Sequence, residues 1–221
     1  MSTLVLFDFD GTLADTAADL AAAANRQRTR RGLEVLPSAV LRQYSSAGAR
    51  GLLRGALDMS TEHLEYEATR LQFLKDYEAA MHVETRLFDG VEELLAQIKQ
   101  AGMQWGIVTN KATYLAEPLV QALGLAPDCK VLVCGDTTAH FKPHPLPLLH
   151  AAQLAGFSTD RCMYVGDDLR DIQAARAAGM PSIAAAYGYC GPDHPVETWQ
   201  ADHCVYSARD MWPAIKQLAA G

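Results

Sequence analysis

Positive charge is in short supply in this chain. Lysine and arginine number 19 against 26 aspartates and glutamates, a formal net charge of −7. Nucleic-acid backbones and anionic membranes are held by basic surfaces, so neither is an expected partner. A local site can still oppose the global sign, and an anionic small molecule stays open. Long hydrophobic runs are also missing, and no apolar stretch approaches a membrane span. The apolar start is short, carries no basic residue and meets Asp8 at once, so no secretory leader is expected. The five cysteines (Cys129, Cys134, Cys162, Cys190, Cys204) are odd in number and contain no C-x-x-C pair. Neither a disulfide framework nor a zinc site is expected from that; five buried free thiols and a reducing cytoplasm are. Internal repeats and low-complexity tracts are absent.

What remains is ordinary globular composition, 49% hydrophobic and 20% charged. A length of 221 residues suffices for one core with a smaller inserted domain. AADLAAAANRQRTRRG (Ala17 to Gly32) reads as a helix with a solvated arginine cluster (Arg26, Arg28, Arg30, Arg31) at its end. SAVLRQYS, ARGLLRGALD and EHLEYEATRLQFLKDYEAAM continue the helical spacing of apolar residues. Beyond RLFDGVEELLAQIKQAG the pattern changes. Strand-like runs (QWGIVTN, KVLVCGD, RCMYVGDD, PSIAAAY) alternate with helical ones. Such alternation implies a parallel sheet covered on both faces, to which TLVLFDFD supplies the first strand. The helical stretch is then an insertion after that strand. The last segment, from Ala201, reads as an edge strand and a closing helix.

The stretch LFDFDGT, Leu6 to Thr12, ends an apolar run with two aspartates. Strand side chains alternate, so Asp8 and Asp10 share a face and Phe9 points away. Close carboxylates repel unless a cation lies between them or a proton is shared.

In open parallel sheets, ligands bind at the carboxyl ends of the strands, and the polar residues fall there. The first strand ends in Asp8, Asp10, Gly11 and Thr12, the second in Thr109, Asn110 and Lys111. A loop after the third carries Lys142 in FKPHPLP; the fourth ends in Gly166, Asp167, Asp168 and, one turn on, Asp171. Asp8, Asp10 and Asp167 offer hard oxygens that suit Mg²⁺. Lys142, Thr109 and Asn110 add an ammonium and hydrogen-bond donors. Free N–H groups at Gly11 and Thr12 are expected to form an anion-binding nest. Together these make a receptor for a phosphoryl group, and a carboxylate beside the metal can serve as nucleophile. Taken singly each fragment is ordinary: a lone D-x-D caps a strand end, VTN and GDD are common turns, and Lys142 before a proline suits a solvated loop. Their shared placement at strand ends joins them.

D-x-D-G-T at Asp8 to Thr12, an apolar strand ending in Thr109, Lys142 in a K-P-x-P setting, and G-D-x-x-x-D at Gly166 to Asp171 stand in that order. They resemble the four motifs of the haloacid dehalogenase superfamily of phosphohydrolases, over almost the whole chain. The resemblance implies an α/β core, a Rossmann-like parallel sheet with helices on both faces, over residues 1–15 and 85–221. Residues 16–84 would be an inserted all-helical cap that closes over the site. It also implies Asp8 as nucleophile, forming an aspartyl-phosphate, and Asp10 as general acid and base. Mg²⁺ would be held by the Asp8 carboxylate, the Asp10 backbone carbonyl and Asp167. Asp168 or Asp171 would support metal waters or Lys142, and Thr109 and Lys142 would hold phosphoryl oxygens. Asn110 would support the site or cap the next helix. SSAGARGLL (Ser45 to Leu53) resembles the specificity loop, which makes Arg50 and Arg54 candidates for reading a substrate anion; the alternative is an exposed helix face.

FDGTLADT, VTNK and VGDDLRDI follow the style of members that act on carboxylate-bearing phosphate monoesters, phosphoglycolate first and N-acetylmuramic acid 6-phosphate second. The expected partner is thus a small phosphorylated metabolite, with the chain a monomer or homodimer. Rival activities fit less well. A sugar-phosphate mutase usually carries Glu-Asp where this chain has Gly166-Asp167. A dehalogenase needs no acid at Asp10, and a phosphonate hydrolase needs a reactive cap lysine, whereas Lys75 reads as exposed. A non-catalytic binding protein on this fold predicts loss of Asp8 or Asp10, and both are present.

Overall fold

A computed structural model describes residues 2–191 and 193–220 of the chain. Strand β1 (Leu4–Phe7) is apolar at every position because both its faces are covered. Val5 and Phe7 enter one core cluster, Leu4 and Leu6 the other. After β1 the chain forms a short strand β2 (Ala14–Asp15) and then four helices: α1 (Ala17–Arg30), α2 (Ser38–Arg42), α3 (Gly48–Leu57) and α4 (Tyr66–Glu78). Strand β3 (Arg86–Leu87) pairs antiparallel with β2 and brings the chain back. Two-residue strands show no periodicity, so the sequence pattern does not reveal this ribbon.

The rest alternates as expected: α5 (Val91–Gln100), β4 (Gln104–Val108), α6 (Thr113–Ala122), β5 (Leu132–Val133), α7 (Leu146–Ala155), β6 (Cys162–Gly166), α8 (Leu169–Ala177), β7 (Ser182–Ala185), β8 (His203–Val205) and α9 (Met211–Ala220). The main sheet is parallel in the order β5-β4-β1-β6-β7-β8. From β1 the chain builds outward through β4 and β5, then returns to the other side of β1 for β6, β7 and β8. That reversal opens a crevice at the carboxyl end of β1. Phe7 lies level with both Ile107 and Val165. Asp8, Thr109 and Asp167 therefore leave three adjacent strands within one residue of the same height.

The helical block has its own core of Leu20, Leu41, Leu52, Leu53, Phe73 and Tyr77. Its entry and exit are tied by buried Asp19, whose carboxylate accepts from the N–H groups of Val83, Glu84 and Thr85 and from the Thr85 hydroxyl. The arginine cluster on α1 is a brace and not only a solvated end. Arg28 donates to the Ala56 carbonyl, Arg30 pairs with Asp76, and Arg31 donates to Thr69 at 2.7 Å. All five cysteines are free, but only Cys134 and Cys162 are buried; Cys129 and Cys190 are half-buried and Cys204 is exposed, contrary to the expectation of burial throughout. Burial pushes the thiols of Cys129, Cys134 and Cys162 up to about 11 and that of Cys190 to about 12, which makes them poor nucleophiles. Among the described residues, no helix is long and apolar enough to cross a membrane.

Candidate active site

A cavity of about 510 Å³ lies between the sheet's carboxyl edge and the helical block. Asp8, Asp10, Thr109, Asn110, Lys111, Lys142, Asp168, Arg170 and Asp171 line it from the core. Ser46, Arg70, Leu71, Leu74 and Tyr77 line it from the block.

Lys142 is the charged centre of the floor and is only 2% exposed. Its ammonium lies 2.9 Å from Asp8 Oδ1 and 2.8 Å from Asp171 Oδ1, and donates to the Val108 carbonyl and the Tyr164 hydroxyl. Burial works against its charge, but Asp171 and Asp8 prevail and hold it above the usual lysine value. Asn110 fixes the backbone behind it. Its amide donates to the Lys142 carbonyl at 3.0 Å, and its Oδ1 accepts from the Lys142 N–H at 2.9 Å. Asn110 thus supports the site and does not cap α6.

The two aspartates of LFDFDGT share a pattern. Asp8 Oδ1 accepts the Phe9 N–H at 2.7 Å and faces Lys142. Asp10 Oδ1 accepts from Thr16 Oγ1 at 2.6 Å and from Lys111 Nζ at 2.9 Å. Among the described residues, no hydrogen bond reaches Oδ2 of either. Each carboxylate is gripped by one oxygen and has the other free for chemistry.

Asp8, Asp167 and Asp171 bring ligand oxygens within 4.8 Å of one another. Asp167 is buried, with Thr12 Oγ1 donating to Oδ1 at 2.9 Å and the Tyr189 N–H to Oδ2 at 2.8 Å. Burial, with Asp8 and Asp171 beside it, pushes its carboxyl well above the usual range. Burial likewise pushes Asp171 up to about 7, although Lys142 opposes the shift. One ammonium does not balance three carboxylates so placed.

A family model described as haloacid dehalogenase-like hydrolase matches residues 5–185. The chain belongs to this family. It is 50% identical over 212 residues to phosphoglycolate phosphatase of Xanthomonas campestris pv. campestris, covering 94% of each chain. It is 42% identical over 207 residues to N-acetylmuramic acid 6-phosphate phosphatase of Pseudomonas aeruginosa, covering 94% of this chain and 92% of that one. A crystal structure of a predicted phosphoglycolate phosphatase from Haemophilus somnus 129pt superposes with a TM-score of 0.85 at 26% identity, over 97% and 98% of the two chains.

Within this haloacid dehalogenase-like hydrolase, Asp8, Asp10, Thr109 and Lys142 meet at one cavity, as expected. Two expectations are corrected, and one open pair is decided. Gly11 and Thr12 form no open nest. The Gly11 N–H donates to the Ala14 carbonyl at 2.9 Å and that of Thr12 to Phe9 at 3.4 Å, closing the turn on itself. Glycine is needed there for its positive φ of 86° and because a Cβ would lie 2.1 Å from Asp167 Oδ2. Arg50 and Arg54 do not reach the cavity; both are exposed and line a neighbouring cleft with Met59 and His194. α3 turns them away, while Arg70 and Arg170 line the cavity instead. Of the pair Asp168 and Asp171, only Asp171 joins the carboxylate cluster. Asp168 is held by Arg170, and Ser46 of the helical block donates to it. The motif pattern gives Lys111 and Arg170 no role, though both stand inside the motif stretches VTNK and VGDDLRDI.

Proposed function

We propose that this chain is a Mg²⁺-dependent phosphatase of small phosphate monoesters, with phosphoglycolate as the favoured substrate. The observation that carries the reading is the convergence of Asp8 and Asp10 from the end of β1, Thr109 from the end of β4 and Lys142 from the loop after β5 onto one cavity, beside a three-carboxylate cluster. The 50% identity to a phosphoglycolate phosphatase supports the substrate. Asp8 attacks phosphorus with its free oxygen. The bond from phosphorus to the ester oxygen breaks, and that oxygen keeps the electron pair and takes a proton from Asp10. Water then yields a proton to Asp10 as its oxygen attacks the aspartyl-phosphate. The bond to Asp8 breaks, inorganic phosphate leaves, and both aspartates are restored. Lys142 and the Thr109 hydroxyl hold phosphoryl oxygens.

The donor set fits a hard cation: carboxylates of Asp8 and Asp167, the Asp10 carbonyl, and Asp171 behind them. Bound Mg²⁺ would neutralise the carboxylates and draw charge from the phosphoryl oxygens. A stability signature follows. With its folded value near 7 against an unfolded 3.8, Asp171 takes up a proton on folding between those values. Without metal, stability is therefore expected to fall as pH rises through that window. Asp76 and Asp168, held low by their partners, change the balance only below it. Thermal melts in chelator should show the decline, and added Mg²⁺ should flatten it; a pH-independent melt in chelator would count against the cluster.

Residues 16–84 serve in this reading as the cap. Ser46 bonds Asp168, Arg170 donates to the Ser46 carbonyl at 2.7 Å, Tyr77 meets Lys111 at 3.0 Å and Arg42 pairs with Asp15 at 2.7 Å, so the block rests on the core at several points. Free thiols and the acidic surface suit a cytoplasmic enzyme.

One observation favours a second substrate. The cavity has an apolar wall of Leu71, Leu74, Tyr114 and Leu115 that a two-carbon acid does not fill, and N-acetylmuramic acid 6-phosphate would. Phosphate release from both compounds and from neutral sugar phosphates decides. The expected order of kcat/KM places phosphoglycolate first, about tenfold or more above the neutral sugars, since Arg70 and Arg170, although paired with Glu67 and Asp168, line the cavity and bring positive charge to its carboxylate. A higher value for N-acetylmuramic acid 6-phosphate establishes the second reading, and no turnover of any ester removes both.

A further inference from the structure

We infer that Lys111 is a positioning residue, which fixes the Asp10 carboxylate for proton transfer while α4 of the helical block is seated. The inference rests on Asp10 being the proton carrier. Lys111 follows Thr109 and Asn110 at the end of β4, and its side chain is 7% exposed. Its ammonium lies 2.9 Å from Asp10 Oδ1 and 3.0 Å from the Tyr77 hydroxyl, over whose ring it sits at 4.6 Å. Tyr77 belongs to α4, is buried, and stacks on Phe73.

Two features separate this lysine from an ordinary buried ion pair. First, both bonds to Asp10, from Thr16 and from Lys111, fall on the same oxygen. A carboxylate held twice at Oδ1 cannot turn about its Cβ–Cγ bond without breaking both. Oδ2 is thereby fixed as the oxygen that meets the substrate. Second, the partners of Lys111 come from opposite sides of the cavity, Asp10 from the core and Tyr77 from the helical block. When the block lifts, the ammonium loses the hydroxyl and the ring together, and water enters beside it. The grip on Asp10 then weakens in the state in which substrate enters or product leaves. Thr16, the other donor, is the hinge residue at which the block begins, and the Tyr189 hydroxyl ties it to the core, so it stays in place when α4 moves. Lys111 is the member of the pair that senses α4.

The test compares leaving groups. An alkyl phosphate needs a proton on its departing oxygen, whereas p-nitrophenyl phosphate releases a stabilised anion that does not. Values of kcat/KM report the first phosphoryl transfer for both. They are measured for the parent, Lys111→Met, Tyr77→Phe and Asp10→Asn, with the better alkyl ester of the two named above. Lys111→Met is expected to lower the alkyl value about tenfold or more and the aryl value less than about threefold. Tyr77→Phe keeps the ring and removes only the hydroxyl. It is expected to show the same split at smaller size, and it supplies the answer if Lys111→Met fails to fold. Equal losses on both esters overturn the inference, because they report packing alone. A split in Asp10→Asn that is absent from both Lys111→Met and Tyr77→Phe also overturns it, while leaving Asp10 in its role. No split in Asp10→Asn removes the assignment of Asp10, and this inference with it.

Discussion

Asp8→Asn is expected to lower kcat by about 10⁴-fold or more while leaving the metal-free protein at least as heat-stable as the parent. The two halves have separate causes. The amide keeps the size of the carboxylate and an Oδ1 that accepts the Phe9 N–H, but its nitrogen does not attack phosphorus. The charge balance moves the other way. Asp8, Asp167 and Asp171 bring oxygens within 4.8 Å of one another, and only Asp8 and Asp171 pair with Lys142, so removing one negative charge relieves repulsion on the remaining two. Lys142 keeps Asp171 at 2.8 Å. Melting in chelator should therefore be unchanged or raised, and the gain on adding Mg²⁺ should shrink because one ligand charge is gone. Retained turnover would place the nucleophile elsewhere. A lower melting temperature in chelator would mean that Lys142 needs both carboxylates more than they repel.

This opposition of stability and activity explains why so much of the site is legible in the amino-acid sequence alone. Natural sequences break local rules mainly where function requires it. A run such as Leu4 to Phe7 that is covered on both faces should not end in paired acids, yet it does. Polar residues likewise close the buried strands after Val108, in Thr109, Asn110 and Lys111, and after Val165, where Asp167 and Asp168 repeat the paired acids. Parallel strands deliver such ends to one edge, so position along the chain converts into position in space. The alternation of strands and helices is readable for a related reason: the helices and the central strands are long apolar-patterned segments, and the two-residue β5 shows through the longer apolar run KVLVCGD around it.

What escapes a reading of the sequence is set by side-chain direction and long-range pairing. Arg50 and Arg54 lie in a stretch whose fragment Ser46 to Ala49 does line the cavity, but a turn of helix rotates them onto the next cleft. Asp168 and Asp171 are indistinguishable as letters. Only the N-terminal cap of α8 separates them, with Asp168 turned to Arg170 and the Asp171 carboxyl filling the space beside Gly166, where a Cβ would lie 2.3 Å from it. The glycine in DGT suggests open N–H groups, whereas its backbone turns them inward and its missing side chain clears Asp167. Lys111 meets Tyr77 across 34 residues of sequence, a pairing that no spacing rule reveals.

Lys142→Met is expected to destabilise the metal-free protein by about 3 to 5 kcal/mol, and to lower kcat by about 10²- to 10³-fold. Methionine is unbranched and one atom shorter than lysine, so it fills most of the same space but brings no charge. The lost ammonium lies against four oxygens, the carboxylates of Asp8 and Asp171, the Val108 carbonyl and the Tyr164 hydroxyl. Without it, Asp8, Asp167 and Asp171 face one another with no cation among them, and two of the three are 1% exposed. The Asn110 clamp on the backbone remains, so the loop keeps its course. Mg²⁺ would replace the missing positive charge, and its stabilising effect should therefore be larger in the variant than in the parent. Activity should not return with stability, because the phosphoryl oxygen that Lys142 would hold has lost its donor. Melts with and without Mg²⁺, paired with phosphate release at saturating metal, separate the two contributions. Equal Mg²⁺ shifts in parent and variant would show that Lys142 does not balance the cluster. Full activity at saturating Mg²⁺ would show that its charge serves folding alone.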